Sequence, residues 1–465
     1  MYGWRETRRC AVMIAVALAA LAGHAGAQSD GPQMAVQLAQ PGGPTQGSVP
    51  VQVTLQDAIA RARKIDAQYL GAAAEAKNSR EDRLQARDAM LPSVSATSQY
   101  LGTEGNGKIP TGRFVTNDGV HVYRAWGVFR QDLSPETYLG TSYRRAKAAE
   151  ALAQAKAEIA RRGLTVTVTR NYYGLAAAQR KYAAAQQALD QADHFLKITQ
   201  DAERAGQAAH ADVVKAQIQE EQQQQALDEE VLGMEDARLS LAVLLFPALN
   251  ENFTVVDDLG TAAGPPAFAD VEAMAARENP EIRAATEVVR EADQDVAAAK
   301  GAFLPSFSVE MDYGIEANHF ALRSIVSADP GKGPMPNLGY FVTAGVTIPV
   351  WDWGALRSKL HQAETNRDQA RAELSQSQRQ MLAELYAAYN EAIVARQAAE
   401  SARRAAELGT ESLRLVNLRY QAGESTALEV VEAQNTASQT ATALADAQLR
   451  YQVALASLQT FTGSF

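Results

Sequence analysis

Proline placement limits this chain more than any other feature. Inside a helix proline removes a backbone donor, and its ring clashes with the preceding turn. After Pro135 the next proline is Pro247, and after Pro349 there is none up to Phe465. Both intervals are rich in Ala, Gln, Glu, Arg and Leu, the strong helix formers. The second predicts a helix from Gly354 to Tyr420. At about 1.5 Å per residue that helix would run roughly 100 Å. Such a length lies outside globular norms and calls for coiled-coil packing.

Each interval is interrupted once, by a similar element. "AGQAAHADVVKAQ" runs from Ala205 to Gln217 and "AGESTALEVVEAQ" from Ala422 to Gln434, 217 positions apart. A second pair, "LPSVSATSQY" (Leu91–Tyr100) and "LPSFSVEMDY" (Leu304–Tyr313), is offset by 213. The order is the same in both copies, so the pattern reads as an internal duplication. We expect repeats over 53–259 and 260–465. The period is too long for a solenoid, so each copy is a structural half. Gly206 and Gly423 can take the left-handed conformation that ends a helix. Thr426 or Ser425 could cap the next helix, with Glu429 in its first turn. Each element then reads as the tip of a helical hairpin with one long and one shorter arm; a kink in a continuous helix is the alternative. Alanine-rich stripes such as "AAAQQALDQA" favour helices laid side by side in a wall.

Four stretches alternate with period two. In Ser306–Tyr313, Phe307, Val309, Met311 and Tyr313 share one face, and Ser306, Ser308, Glu310 and Asp312 the other. "GYFVTAGVTIPVW" alternates in the same way, with Tyr340, Val342, Ala344, Val346 and Ile348 on one face. The first half offers "SVSATSQYLG" and "VHVYRAWGVFRQ", though Arg124, Arg130 and His121 leave the faces of the latter unassigned. Long polar loops lie between the strands of each half. An apolar face against a Ser/Thr/Asp/Gly face fits a transmembrane barrel wall; a soluble sandwich with one solvated face is the alternative. Trp351 and Trp353 follow where an interfacial aromatic belt would lie. Four strands cannot close a barrel, about eight being the practical minimum. Open edges are not tolerated in lipid, so several chains would have to pool their strands.

The N-terminus carries Arg5, Arg8 and Arg9, then an apolar stretch from Ala11 to Ala22, then Ala25-Gly26-Ala27. This reads as a signal peptide over 1–27; an N-terminal anchor is the alternative. Residues 28–52, rich in Gln, Gly and Pro, read as a flexible leader. The only cysteine, Cys10, lies in the signal. The chain's net charge is −10. Removing three Arg and one Glu with the signal takes it to −12, which disfavours nucleic acid as a partner.

Together the paired LPSxS elements, "IPVWDWG" and the two Ala-Gly tips resemble the TolC family of outer-membrane efflux proteins, over nearly all of the expected mature chain. The resemblance implies a mixed α and transmembrane β fold. A homotrimer would pool twelve strands into one outer-membrane barrel, four per chain, continued by a periplasmic α-helical coiled-coil tunnel. It implies a passive exit duct for tripartite efflux or type I secretion, closed by the hairpins and opened when a periplasmic adaptor and an inner-membrane transporter dock. It places adaptor docking at the tips, Ala205-Gly206 and Ala422-Gly423. Glu429 and Glu432 take the places of entrance carboxylates, and their i,i+3 spacing puts them on one helix face; a solvated helix face is the alternative. Crowded there, some of these carboxylates would have raised pKa values. Tyr420 and Asp212 take the places of a hairpin-to-hairpin link. A second linking arginine of the family is here Ser425, which leaves open how the gate is held.

No P-loop, H-E-x-x-H or nucleophile elbow is present, and His210 lacks a second ligand at metal spacing. We therefore expect no enzyme activity, no metal and no cofactor. Two rivals remain: a surface or periplasmic trimeric coiled coil of structural or adhesive type, and a soluble periplasmic helical binding module. The sequence does not name the cargo.

Overall fold

The computed structural model describes residues 51–103, 120–247, 252–261, 263–317, 320–323 and 336–463. The expected signal peptide, the leader up to residue 50 and most of the two inter-strand loops lie outside the described residues. The first half runs β1 (Val51–Val53), α1 (Leu55–Ile65), α2 (Ala67–Asp88), β2 (Ser93–Thr103), β3 (Val120–Leu133), a single turn α3 (Pro135–Tyr138), α4 (Thr141–Arg204) and α5 (His210–Leu245). The second runs β4 (Phe253–Val255), α6 (Phe268–Glu278), α7 (Pro280–Gly301), β5 (Ser306–Ala317), β6 (Leu338–Thr347), α8 (Ala355–Gln421) and α9 (Ala427–Thr462). Helices α1, α2 and α5 have 11, 22 and 36 residues, as do α6, α7 and α9; α4 has 64 against 67 for α8.

The long helices fill the proline-free intervals, and α8 spans about 100 Å at about 1.5 Å per residue. They lie in a wall in the order α5, α4, α9, α8, with α2 and α7 packed against α4. Alanines such as Ala148, Ala155, Ala192, Ala216, Ala392 and Ala433 make much of the buried surface, so helix axes approach closely. Thicker packing is confined to two clusters further up the wall. One gathers Val53, Tyr172, Leu241, Leu245 and Phe253; the other gathers Val271, Leu385, Tyr451 and Leu458.

Strands β1 and β4 form a parallel pair that the sequence reading missed. Three residues are too few to display an alternation. The Tyr172 hydroxyl holds the pair: it accepts from Val256 N–H at 3.1 Å and donates to the carbonyl of Val53 or Val256, at 3.2 and 3.1 Å. Val51 and Gln52, expected in the flexible leader, belong to this strand.

The other four strands form one antiparallel sheet in the order β2-β3-β5-β6, and the β3–β5 ladder joins the two halves. Strand β5 runs four residues further than the alternation indicated, through Gly314–Ala317. Strand β6 ends at Thr347, one residue short of Ile348, the last residue of the expected alternation. Pro349 lacks an N–H for the ladder and restricts the residue before it. The register settles the faces of β3. Arg124, Val128, Arg130 and Asp132 stand opposite Glu316, Asp312, Glu310 and Ser308. Tyr123, Ala125, Gly127 and Phe129 share the other face with Tyr313, Ile315 and Met311.

The sheet is inside-out by the standard of a water-soluble fold. Val94, Tyr340 and Val346 are 78, 72 and 59% exposed, while Asp312 on the polar face is 2% exposed. Several groups of the polar face pair across strands, while Asp312 Oδ2 has no hydrogen-bond partner among the described residues. Arg124 pairs with Glu316 at 2.8 Å and donates to Gln99 at 3.2 Å, and Arg130 lies 3.9 Å from Glu310. Trp126 meets Phe341 edge-on at 5.4 Å on that face.

Candidate functional site

The end of the wall furthest from the sheet carries two helix–helix tips. In the first, α4 stops at Arg204 and Gly206 takes φ +73°. Gly206 N–H donates to the Glu203 carbonyl at 2.8 Å, and Gln207 N–H to the Ala202 carbonyl at 2.8 Å. In the second, α8 stops at Gln421 and Gly423 takes φ +75°. Gly423 N–H donates to Tyr420 O at 3.0 Å, and Glu424 N–H to Arg419 O at 2.8 Å. Both are Schellman motifs, which need a residue that tolerates positive φ and so account for the Ala-Gly pairs.

The tips differ where the next helix starts. Helix α5 begins after Ala209, which offers no side-chain cap. The nearest clasp is His210 Nδ1, 2.9 Å from Glu203 Oε1 across the turn. Helix α9 begins after Thr426, whose Oγ1 accepts from Glu429 N–H at 3.3 Å. Ser425 Oγ donates to Glu429 Oε2 at 2.7 Å. Arg419 donates to Glu424 O at 3.1 Å, and its guanidinium lies 3.7 Å from the Glu429 carboxylate.

Glu429 and Glu432 lie on one face of the first turns of α9. Glu432 is exposed, and its carboxylate makes no hydrogen bond or ion pair among the described residues. In the protomer, the expected upward pKa shift does not appear at Glu429. The Ser425 hydroxyl, followed by the Thr426 backbone and Arg419, holds its carboxyl below the usual carboxylate value. Asp212, at the matching place in α5, instead pairs with Lys215 at 3.5 Å.

Tyr420 and Asp212 are not brought together. No hydrogen bond joins them, and the Tyr420 ring packs edge-on against Phe195 at 5.2 Å. That contact belongs to a small apolar cluster of Phe195, Ala216, Ala427 and Val430, which ties the hairpins to each other close to the tips. One step further from the tips lies a polar seam that sequence reasoning missed. Gln219, 1% exposed, donates to Asn435 Oδ1 at 2.7 Å, Gln223 donates to the same atom at 3.3 Å, and Gln434 donates to the Gln191 carbonyl at 3.3 Å. The run around Gln219 reads as a solvated face in sequence; only the crossing of α9 over α5 buries it.

Among the described residues no group of three or more His, Cys, Asp or Glu could hold a metal ion. No described helix is long and apolar enough to cross a membrane. The family described as "Outer membrane efflux protein" matches residues 273–464. The chain is 25% identical over 315 residues to outer membrane protein OprJ of Pseudomonas aeruginosa, covering 65% of this chain and 61% of OprJ. It is 24% identical over 398 residues to the pyoverdine export outer membrane protein OpmQ of the same organism, covering 82% of this chain and 79% of OpmQ. Its fold follows that of the Campylobacter jejuni outer membrane channel CmeC, with a TM-score of 0.72 at 17% identity over 88% of this chain and 86% of that one.

The family match thus lies in the second half of the chain, and the relatives to which the chain is similar over a longer stretch are outer membrane proteins of efflux and export. The chain is an outer-membrane protein. The family match takes in the second tip with Glu429 and Glu432 and leaves out the first tip with Asp212. The chain spans about three fifths of the length of OprJ.

Proposed function

We propose that this chain is a member of the outer membrane efflux protein family and the passive exit duct of a tripartite efflux or type I secretion system. The observation that carries the reading is the inside-out sheet with two open edges. β2 and β6 are each paired on one side only. Their apolar face suits lipid and their polar face suits a water-filled lumen. An unpaired backbone group in lipid costs several kcal/mol, so the edges need partners. Three chains of four strands each would pool twelve and close the barrel. The helical wall has the same need. Leu232 and Val243 on α5 and Leu408 and Leu418 on α8 are exposed at its two edges, where neighbouring copies would cover them.

In this trimer the helices continue as a periplasmic tunnel, and six tips of two kinds surround its far end. An adaptor docks on the tips, and an inner-membrane transporter supplies the energy. The chain itself performs no chemistry. Detergent-extracted protein should sediment as a trimer with both helix and strand signals in circular dichroism. A stable monomer in detergent-free buffer would overturn the reading. A detergent-independent trimer with helix signal alone would favour a structural coiled coil.

A further inference from the structure

The four junctions between sheet and helices share a composition that extends beyond the aromatic belt expected at Trp351 and Trp353. Leu91, Tyr138, Phe303, Leu304, Trp351 and Trp353 are all exposed there, although the strands have ended. The Trp pair is held in place. Among the described residues Trp353 is the only non-glycine residue with positive φ, at +57°, a conformation uncommon outside glycine. Asp352 braces it by accepting from Gly354 N–H at 3.0 Å and Leu356 N–H at 2.6 Å. The two indoles meet edge-on at 5.6 Å and stand 76 and 89% exposed.

Just beyond this collar the helix ends are cationic, in a chain whose net charge is −10. Consider the last seven residues of α2 and α7 and the first seven of α4 and α8, about 10 Å of helix. Arg83, Arg87 and Arg145 are neutralised by Glu150, Asp88 and Asp295, and His361 faces Glu364. Arg144, Lys147, Lys300, Arg357 and Lys359 are exposed and have no ion partner. Asp82 is the one carboxylate in these segments without a partner. In the connections, Glu136 accepts from Ser142 Oγ at 3.3 Å and Asp352 is used as a cap. Among the described residues, five cations without an ion partner therefore stand against three carboxylates without one, Asp82, Glu136 and Asp352.

An apolar and aromatic rim followed within about 10 Å by a cationic rim matches the section of a bilayer edge. The headgroup layer is about 5–8 Å deep beside a hydrocarbon core about 30 Å thick. Tryptophan prefers that boundary, and long Lys and Arg side chains reach from a helix to headgroup level. We propose that the four strand–helix junctions form a docking band for anionic phospholipid. The Trp351–Trp353 pair sits at the acyl boundary, and Arg144, Lys147, Lys300, Arg357 and Lys359 hold headgroup phosphates. The band fixes the depth of the barrel and selects the lipid around it. It rests on the apolar strand face being in lipid.

The test uses full-length processed protein in detergent, offered equal phosphatidylglycerol and phosphatidylcholine, with bound lipid counted by native mass spectrometry. The wild type should retain phosphatidylglycerol over phosphatidylcholine by about fivefold or more. The variant Arg144→Gln/Lys147→Gln/Lys300→Gln/Arg357→Gln/Lys359→Gln should bring that ratio near one with assembly unchanged. Should that variant not assemble, Arg357→Gln/Lys359→Gln alone should lower the ratio by about half. No preference in the wild type, or an equal preference in the variants, overturns the band. A second measurement separates this from the lipid-facing reading of the sheet. In a Trp126→Phe background, liposomes brominated near the glycerol end should quench Trp351 and Trp353 more than those brominated near the chain end, and Trp353→Gly, which suits the positive φ, should remove part of the signal. Quenching that is strongest at the chain end overturns the band alone. No quenching at any depth takes the sheet itself out of lipid.

Discussion

The two hairpin tips share a backbone and differ in chemistry. Both end their long helix with the same pair of hydrogen bonds around a glycine at φ +73° or +75°. The acid in the first turn beyond is matched too, Asp212 against Glu429. Three residues later the match fails: Lys215 neutralises Asp212 at the first tip, whereas Glu432 adds a second carboxylate at the other. The start of the departing helix also differs, uncapped at Ala209 and capped at Thr426. Repeated geometry does not bring repeated function. At the first tip Arg204 and Lys215 pair with Asp201 and Asp212, and the tip is held mainly by its turn. The second is acidic and tied by Thr426, Ser425 and Arg419.

The largest expected effect breaks what the tips have in common. A Cβ at either glycine meets nothing within 4 Å, so the penalty for a side chain is purely backbone. Placing a β-branched residue at positive φ costs about 1–3 kcal/mol. Gly206→Val and Gly423→Val should both leave trimer yield nearly unchanged and impair transport in cells. The difference between the tips adds a ranking. Gly206→Val should raise hydrogen exchange across residues 200–212 more than Gly423→Val does across 417–429, because only the second tip keeps a side-chain cap. Failure of either variant to assemble would place that glycine inside a packed interface and withdraw it from the tip.

Legibility in the sequence follows the same division between backbone and side chain. The helix expected from Gly354 to Tyr420 is readable to within a residue at each end, Ala355–Gln421, and the prolines at 135, 247 and 349 bound the helical intervals while Gly206 and Gly423 permit the turns. The strands were readable because one face is apolar at every second position. What one chain segment cannot show is which neighbour it meets. The faces of β3 became clear only when Arg124 and Arg130 lay opposite Glu316 and Glu310. Gln219 reads as solvated in sequence, and only the crossing of α9 buries it and lets its amide donate a hydrogen bond to Asn435 Oδ1. The position of Tyr420 matches a polar link in the family pattern, and its ring neighbours Phe195 and Val430 are not visible from that match.

An intermediate effect concerns charge. If the proposed ring of tips is the narrow entrance, six carboxylates come from Glu429 and Glu432, while Asp212 contributes little because Lys215 cancels it. In a constriction with low-dielectric walls the carboxylates attract cations and repel anions, and the effect fades as salt rises. Reversal potentials across a salt gradient should therefore show cation preference in the wild type, much of it lost in Glu429→Gln/Glu432→Gln. Asp212→Asn should change little. Equal selectivity in wild type and double variant would place the carboxylates on the outer face of the tunnel. The pH dependence has a definite sign. Glu429 has a lowered folded-state pKa, so its charge and the associated stabilisation are complete above the ordinary carboxylate value and are lost as pH falls through the lowered one. Removing the largest cause by Ser425→Ala should shift the loss of cation preference to higher pH.

The smallest expected effect is at Tyr420, and it tests whether the link between hairpins is polar or apolar. In the family pattern a tyrosine and an aspartate tie neighbouring hairpins, which would make the hydroxyl decisive. In this protomer the hydroxyl has no hydrogen-bond partner among the described residues, Asp212 pairs with Lys215, and the ring contributes an edge-on contact with Phe195 at 5.2 Å. Such aromatic pairs are worth about 0.5–1.5 kcal/mol beyond the area they bury, and phenylalanine preserves them. Tyr420→Phe should therefore leave the resting conductance in planar bilayers at the wild-type level. Tyr420→Ala opens a gap beside Phe195 and Val430, and it should raise resting conductance while the trimer persists. If Tyr420→Phe alone raises it, the hydroxyl must be bonded to a neighbouring chain, and the hold on the closed entrance passes from the apolar cluster within each chain to contacts between chains.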